Sequence, residues 1–216
     1  MIKLFEQFKN EQEIHNLCKE YRIKDYTINS DGSIDVNGNV NLSACEIRKI
    51  PIKFNKVNGY FSCLECDLTT LENSPRIVMN NFKCSWNDLT SLEGCPDFIY
   101  GDFDCNQNYI EDFKYFPKHV EGMIFITNNK IKSLKGLDGS YYGISLTGNI
   151  TLKTIDNDLD IKKQIFCDNT SLPREIISLD NEDRVKVFNH SVEYGVFDKD
   201  GNFNRKRFEM MMKDLE

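Results

Sequence analysis

Apolar residues recur along this chain with a period of 21 residues, from about residue 40 to residue 172. We take Phe82 as the origin of one unit. The other origins lie 21 residues apart, with one gap of 20, at Val40, Phe61, Phe103, Ile124, Ile144 and Ile165. From Phe61 onward a second apolar residue stands two places after each origin, as is typical of a strand with one buried face. Seven units in one register therefore predict a solenoid of stacked parallel strands.

The remainder of each unit keeps the same register. Five places after the origin stand Cys45, Cys66, Asn87, Asn108, Asn129, Asn149 and Thr170. Apolar residues follow seven and ten places after the first five origins, at Ile47, Leu68, Leu89, Ile110 and Ile131 and at Ile50, Leu71, Leu92, Phe113 and Leu134. In the sixth unit these positions slip by one residue, to Leu152 and Ile155. That slip predicts a bulge or an altered turn within residues 136–155.

The unit resembles a leucine-rich repeat, in which a short strand is followed by a buried Asn or Cys and a further apolar residue. It is similar to the short repeats of bacterial leucine-rich effectors. It is more similar still to repeat proteins of tailed phages and bacteria whose units read F-x-C-x-N-N-x-L-T-S-L-E-G-x-P, which residues 82–84 (FKC) and 87–96 (NDLTSLEGCP) match. The resemblance implies an α/β repeat fold: a leucine-rich-repeat solenoid with its parallel sheet on the concave face and helical and hairpin caps at both ends.

Segments without the period flank the repeats and divide the chain into three parts: a cap of residues 1–39, seven repeats of about 21 residues over 40–172, and a helical cap of residues 173–216. A solenoid needs such caps because its last unit would otherwise expose an apolar end. Residues 1–22 have helical periodicity, as one helix or two short ones, and a hairpin is predicted around residues 30–32. Asp180 and Asn204 can each begin a helix, with a turn at 198–202 between the two.

The net charge of −7 argues against a general nucleic-acid binder, for which a basic face would be the footprint. No apolar run approaches the roughly 20 residues that span a bilayer, and the charged start MIKLFEQFKNEQE does not resemble a secretory signal. We therefore expect a cytoplasmic protein without a membrane partner, in the host cytoplasm if a phage encodes it.

The eight cysteines are predicted to be reduced and structural. Cys63, Cys84, Cys105 and Cys167 share the second inward strand position, where a thiol packs as a small hydrophobe. A redox role or a metal cluster is the alternative, although the chain has no CxxC pair. Asn87, Asn108 and Asn129 are predicted to bond backbone groups, because a buried amide without a partner costs about 1–3 kcal/mol.

No cofactor, metal site or catalytic residue is predicted. The three histidines, His15, His119 and His190, are too scattered to suggest a catalytic arrangement. Residues 198–209 mimic a calcium-binding loop, but Phe203 stands where such a loop requires Gly.

The outward positions flanking each inward strand residue define one face of the predicted sheet, and most of them are polar. Exposed aromatic groups with a polar rim mark protein-binding sites. Large apolar side chains on this face, together with two charged neighbours, are therefore the predicted partner-binding set: Tyr60, Leu64, Lys83, Trp86, Asp104, Met123, Phe125 and Phe166. Two alternatives stay open, since a terminal cap or a second copy of the chain could cover these residues.

The predicted function is that of a protein-protein interaction module and not of an enzyme, with a partner protein held on the concave face. The resemblance to phage proteins implies that the partner is a host protein, part of a defence system, which is blocked or diverted. One alternative is a self-associating structural or virion protein. A lower alternative is a thiol- or metal-dependent enzyme that uses the strand cysteines.

Overall fold

The repeated segment forms a β-solenoid of about six turns with parallel sheets. The structure is a computed structural model that describes the backbone of residues 2–216 and the side chains of residues 10–216. The predicted inward residues Leu4, Phe5 and Phe8 of the first helix lie outside the described side chains. Within residues 2–216, no helix combines the length and the apolar character needed to cross a lipid bilayer.

Helices lie at both ends of the chain and strands between them. Helix α1 (Ile2–Glu20) is one continuous helix, and the antiparallel hairpin of β1 (Tyr26–Ile28) and β2 (Ile34–Val36) follows it as predicted. The other strands are β3 (Val40–Asn41), β4 (Phe54–Val57), β5 (Phe61–Ser62), β6 (Ile77–Val78), β7 (Phe82–Lys83), β8 (Phe98–Ile99), β9 (Phe103–Asp104), β10 (His119–Val120), β11 (Met123–Phe125), β12 (Ser140–Ser145) and β13 (Asp160–Phe166). They are followed by helices α2 (Arg174–Ile177), α3 (Asn181–His190) and α4 (Arg205–Asp214).

The first sheet contains the seven repeat strands in the order β13-β12-β11-β9-β7-β5-β3, all parallel. Each origin residue pairs with the origin of the next turn, as in Phe61 with Phe82 and Phe82 with Phe103. The predicted register is therefore confirmed along the whole sheet. One irregularity lies between Tyr141 and Gly143, inside the segment for which a bulge was predicted.

A second sheet, β1-β2-β4-β6-β8-β10, was not predicted from the sequence. It is parallel except for the β1–β2 hairpin, and it forms on the return path of each turn after buried prolines such as Pro75 and Pro96. Its buried residues also repeat every 21 positions, at Val36, Val57, Val78, Ile99 and Val120. The core lies between the two sheets, where Phe61 stacks on Phe82 at 5.6 Å and Phe82 contacts Phe103 at 6.0 Å between ring centroids.

Each turn bends at corners where one residue has left-handed backbone. The corner four places after the origin has a positive φ in every unit, at Ala44, Glu65, Trp86, Gln107, Asn128, Gly148 and Asn169. A second corner recurs at Asn73, Gly94, Tyr115 and Gly136. At Gly94 a Cβ atom would lie 2.6 Å from the carbonyl oxygen of Leu71, so glycine meets a steric as well as a conformational need there.

Buried asparagine side chains tie each turn to the one before it. Asn87 donates to the carbonyl groups of Cys63 (2.9 Å), Cys84 (3.0 Å) and Ser85 (3.1 Å). Its Oδ1 accepts from the backbone N–H groups of Cys66 and Leu68 at 3.1 and 2.8 Å. Asn108, Asn129 and Asn149 repeat this pattern one turn at a time.

Cysteine replaces asparagine in this column near its start. The Cys66 thiol donates to the Leu42 carbonyl at 2.9 Å, the same previous-turn position that the asparagines bond. A thiol supplies one donor and no strong acceptor, so it reproduces only part of the asparagine network.

Side chains of α3 occupy the outer edge of β13, the last strand of the first sheet. Asn181 accepts from the Ile165 N–H at 3.0 Å and donates to the Lys163 carbonyl at 2.6 Å. Asn189 makes the same pair of bonds with the N–H and carbonyl of Ile161. The polar groups of this edge strand are therefore bonded within the chain instead of being free to pair with another strand.

Both helix starts predicted after the repeats are confirmed. The Asp180 side chain accepts from the N–H of Asp183 at the start of α3, and the Asn204 side chain accepts from the N–H of Arg207 at the start of α4. The turn between these helices closes with a single antiparallel bridge from Phe197 to Phe203.

Replacing Asn87 by Ala is expected to lower the free energy of unfolding by roughly 2–4 kcal/mol, because buried carbonyl and N–H groups of two turns lose their partners. Urea denaturation followed by far-UV circular dichroism measures this change. Asn58→Ala is the control, since Asn58 is exposed and its side chain bonds only Asn37; it should cost less than about 0.5 kcal/mol. Equal losses in the two variants would mean that the asparagine column does not hold the turns together.

Candidate interaction surface

Four of the predicted partner-binding residues form part of one row across the first sheet. Lys83 pairs with Asp104, Asp104 with Phe125, Phe125 with Ser145 and Ser145 with Phe166. Neighbours in such a row are about 4.8 Å apart. Lys83 and Phe166 are exposed, whereas Asp104 and Phe125 are half-buried.

Three other predicted residues divide between two places on the same side of the sheet. Tyr60 and Leu64, both half-buried, line a cleft of about 250 Å³ together with Lys83. Met123 is half-buried and lies over Gly143, where an added Cβ would come within 2.6 Å of the Met123 sulfur. The structure therefore places the predicted set along one side of the first sheet and not in a single pocket.

Trp86 is the most exposed aromatic residue of the predicted set, with 59% of its surface accessible. It lies beside the row, at the left-handed corner that follows β7, and lines a cleft of about 370 Å³ with Glu65, Gln107, Tyr109 and Asn128. Tyr109 is itself 45% exposed. Sequence periodicity did not single out Tyr109, because it falls on the loop beyond the strand and not on the predicted face.

The backbone of Trp86 is unfavourable for a bulky residue. Its φ is 56°, in the left-handed region where Gly and Asn are at ease and large side chains are rare. Two other turns place Asn128 and Asn169 at the same corner, with φ of 53° and 54°. The fold therefore tolerates an indole here without needing it.

The corner of Trp86 is held firmly from both sides. Trp86 donates its N–H to the Asn106 carbonyl at 2.9 Å, and the preceding carbonyl, that of Ser85, accepts from Asn87. Asn87 follows Trp86 directly and is buried within the column described above. The buried asparagine thus presents the exposed indole in one backbone conformation.

Several polar residues of the predicted wet face have structural roles. The Asn39, Asn81 and Asp102 side chains each accept the backbone N–H of the residue 21 places later, at 3.0, 2.8 and 2.9 Å. Glycine precedes each of those donors, and at Gly101 a Cβ would lie 2.3 Å from the Asn81 oxygen. These side chains support the stacking of turns, which leaves fewer of the face's polar groups free to bind a partner.

The second sheet presents an apolar patch that sequence reasoning missed. Met79 and Tyr100 are exposed, Ile77 and Phe98 are half-buried, and Tyr100 contacts His119 at 5.3 Å between ring centroids. The signal was available, since Ile77, Phe98 and His119 are spaced by 21 residues. We did not use it because the return segment was not expected to form a sheet.

Burial makes the strand thiols poor nucleophiles. It raises the pKa of Cys63, Cys84 and Cys105 well above the ordinary thiol value, and it raises that of Cys167 to about 11. Since the thiolate is the reactive form, the strand cysteines are almost entirely protonated at neutral pH. Among the side chains of residues 10–216, no group of three or more His, Cys, Asp or Glu is placed to hold a metal ion.

The segment that mimics a calcium loop uses its first carboxylate internally. Asp198 accepts from the backbone N–H groups of Asp200 and Asn202, each at 2.9 Å. This is the geometry of a polar hairpin turn.

Comparison with protein-family models, curated proteins and solved structures yields no match to this chain.

Trp86→Asn is expected to leave the free energy of unfolding unchanged or to raise it by up to about 1 kcal/mol, because Asn accepts left-handed backbone more readily than Trp. Urea denaturation followed by circular dichroism measures the change. A loss of more than about 1 kcal/mol would mean that the indole packs as part of the fold.

Ellman's reagent should modify one thiol quickly in the folded protein at pH 8, that of the half-buried Cys45, and all eight after denaturation. Six cysteines are buried, and burial of the thiol raises the pKa of the half-buried Cys95 well above its ordinary value. Cys45→Ser should remove the fast phase. Fast reaction of a strand cysteine in that variant would instead favour the thiol-enzyme alternative.

Proposed function

We propose that this protein is a protein-protein interaction module: a leucine-rich-repeat solenoid, capped at both ends, whose first sheet forms a concave face that holds a partner protein. The observation that carries the proposal is Trp86, a largely exposed indole on a left-handed corner where other turns carry Asn. An exposed Trp that the fold does not require is typical of a binding hot spot. The resemblance of residues 82–96 to phage repeat proteins supports a host protein, part of a defence system, as the partner that is blocked or diverted.

The row of Lys83, Asp104, Phe125 and Phe166 supports the proposal by extending this surface across several strands. A row that mixes large apolar and charged side chains can seat an apolar anchor and orient it through polar contacts at the rim. Tyr60 and Leu64 add a second apolar point at one end of the row.

Self-association is the rival that the second-sheet patch favours. Met79 and Tyr100 expose apolar area on the opposite sheet from Trp86, so a second copy could bind there. The two proposals differ in which sheet they use, and this difference makes them separable.

Partner capture from a bacterial lysate tests the proposal with two double variants. Trp86→Asn with Phe125→Ser replaces both side chains by residues that other turns carry at the same positions, Asn128 and Ser145. Met79→Asn with Tyr100→Asn alters the second sheet in the same way, since Asn58 holds the equivalent place. We expect a protein identified by mass spectrometry to be captured at least tenfold less by the first variant and unchanged by the second, as about 1.4 kcal/mol of lost affinity would produce.

The opposite pattern, with capture lost only in the Met79 and Tyr100 variant, would contradict the proposed face. Sedimentation velocity over a range of protein concentrations completes the test. A concentration-dependent dimer that the Met79 and Tyr100 variant abolishes would favour the self-associating alternative.

A further inference from the structure

Three carboxylates surround Trp86 without a basic partner of their own. Glu65, Asp67 and Asp88 line the same cleft as the indole, and all three are exposed. None of them forms an ion pair with another of the side chains described for residues 10–216. Carboxylates elsewhere on the solenoid are neutralised, as Asp97 is by Arg76 and Lys118.

The repeat brings these groups together. Glu65 precedes Trp86 by one turn at the left-handed corner, and Asp67, Asp88 and Tyr109 occupy equivalent places two residues beyond that corner in successive turns. Stacked turns place such equivalent residues side by side, at roughly the 4.8 Å spacing of the strands. The acidic groups and the two aromatic rings therefore face one cleft of about 370 Å³.

The neighbouring turn shows how a cation sits in this row. The Lys130 ammonium lies 4.5 Å from the centroid of the Tyr109 ring, in the range of a cation–π contact. Among the side chains of residues 10–216, no such contact is found on Trp86, which is the better cation–π acceptor of the two. The indole and the three carboxylates thus complement a positive charge that the described side chains do not supply.

We propose that the Trp86 cleft binds a lysine or arginine side chain from a basic segment of the partner protein. The positive charge lies against the indole while its N–H groups donate to Glu65, Asp67 or Asp88. This inference rests on the proposed function and names the chemistry of the partner. The net charge of −7 acts in the same direction, because it speeds the approach of a basic partner.

The fluorescence of Trp86, the only tryptophan in the chain, reports binding directly. The probe is the blocked peptide acetyl-Arg-Arg-Arg-amide, and its matched control is the same peptide with citrulline, which has the shape of arginine without the charge. We expect the arginine peptide to change the fluorescence saturably at low salt and the citrulline peptide to have no effect. A change that is equal for both peptides, or none with either at millimolar concentration, would overturn the proposal.

Two triple variants separate the cleft from the overall charge. Glu65→Gln, Asp67→Asn and Asp88→Asn neutralise the cleft, whereas Glu121→Gln, Asp138→Asn and Glu209→Gln make the same change of net charge at other exposed positions. The first should weaken binding of the arginine peptide about tenfold and the second less than twofold, since exposed charges act mainly at short range. Equal weakening would mean that the peptide responds only to net charge, which overturns the proposal.

Failure here is distinguishable from failure of the proposed function. A protein whose capture requires Trp86 and Phe125 but is unchanged by neutralising the three carboxylates would leave the interaction module standing and remove the basic segment as its occupant.

Discussion

The fold depends on satisfying the backbone at the bend where each repeat strand ends. A strand of two or three residues cannot bond its own flanking loop, so carbonyl and N–H groups of adjacent turns would be buried without partners. The asparagine that follows the corner resolves this, because one amide both donates to carbonyls and accepts from N–H groups of the previous turn. Stacking, and with it the core of Phe and thiol side chains, follows from that bond repeated once per turn.

The sequence was sufficient to predict the register of the first sheet, the asparagine column and the starts of the last two helices. A period of 21 residues fixes which residues pair, and side-chain caps have local signatures. The second sheet was missed because strands such as Ile77–Val78 are too short to show alternation. The left-handed corners were missed because Trp86 and Glu65 are not residues that predict positive φ.

The candidate surface was predictable in part for the same reasons. Periodicity places Phe125 and Phe166 in one row, since that depends on register alone. It does not reveal that Asn81 and Asp102 are engaged in stacking, or that Tyr109 joins Trp86, because both depend on how loops of successive turns lie against each other. The surface that results joins a rigid strand row to an aromatic and acidic cleft at its edge.

Hydrogen exchange of single amides by NMR tests most directly whether the asparagine column holds this cleft in a preformed shape. The N–H groups of Leu68 and Leu89 lie in loops, yet each donates to the side chain of an asparagine in the next turn. Our account predicts that both exchange as slowly as the strand amides of Phe82 and Cys84. Exchange at the rate of exposed loop amides would contradict it, because the corner that carries Trp86 would then lack the support on which recognition is proposed to rest.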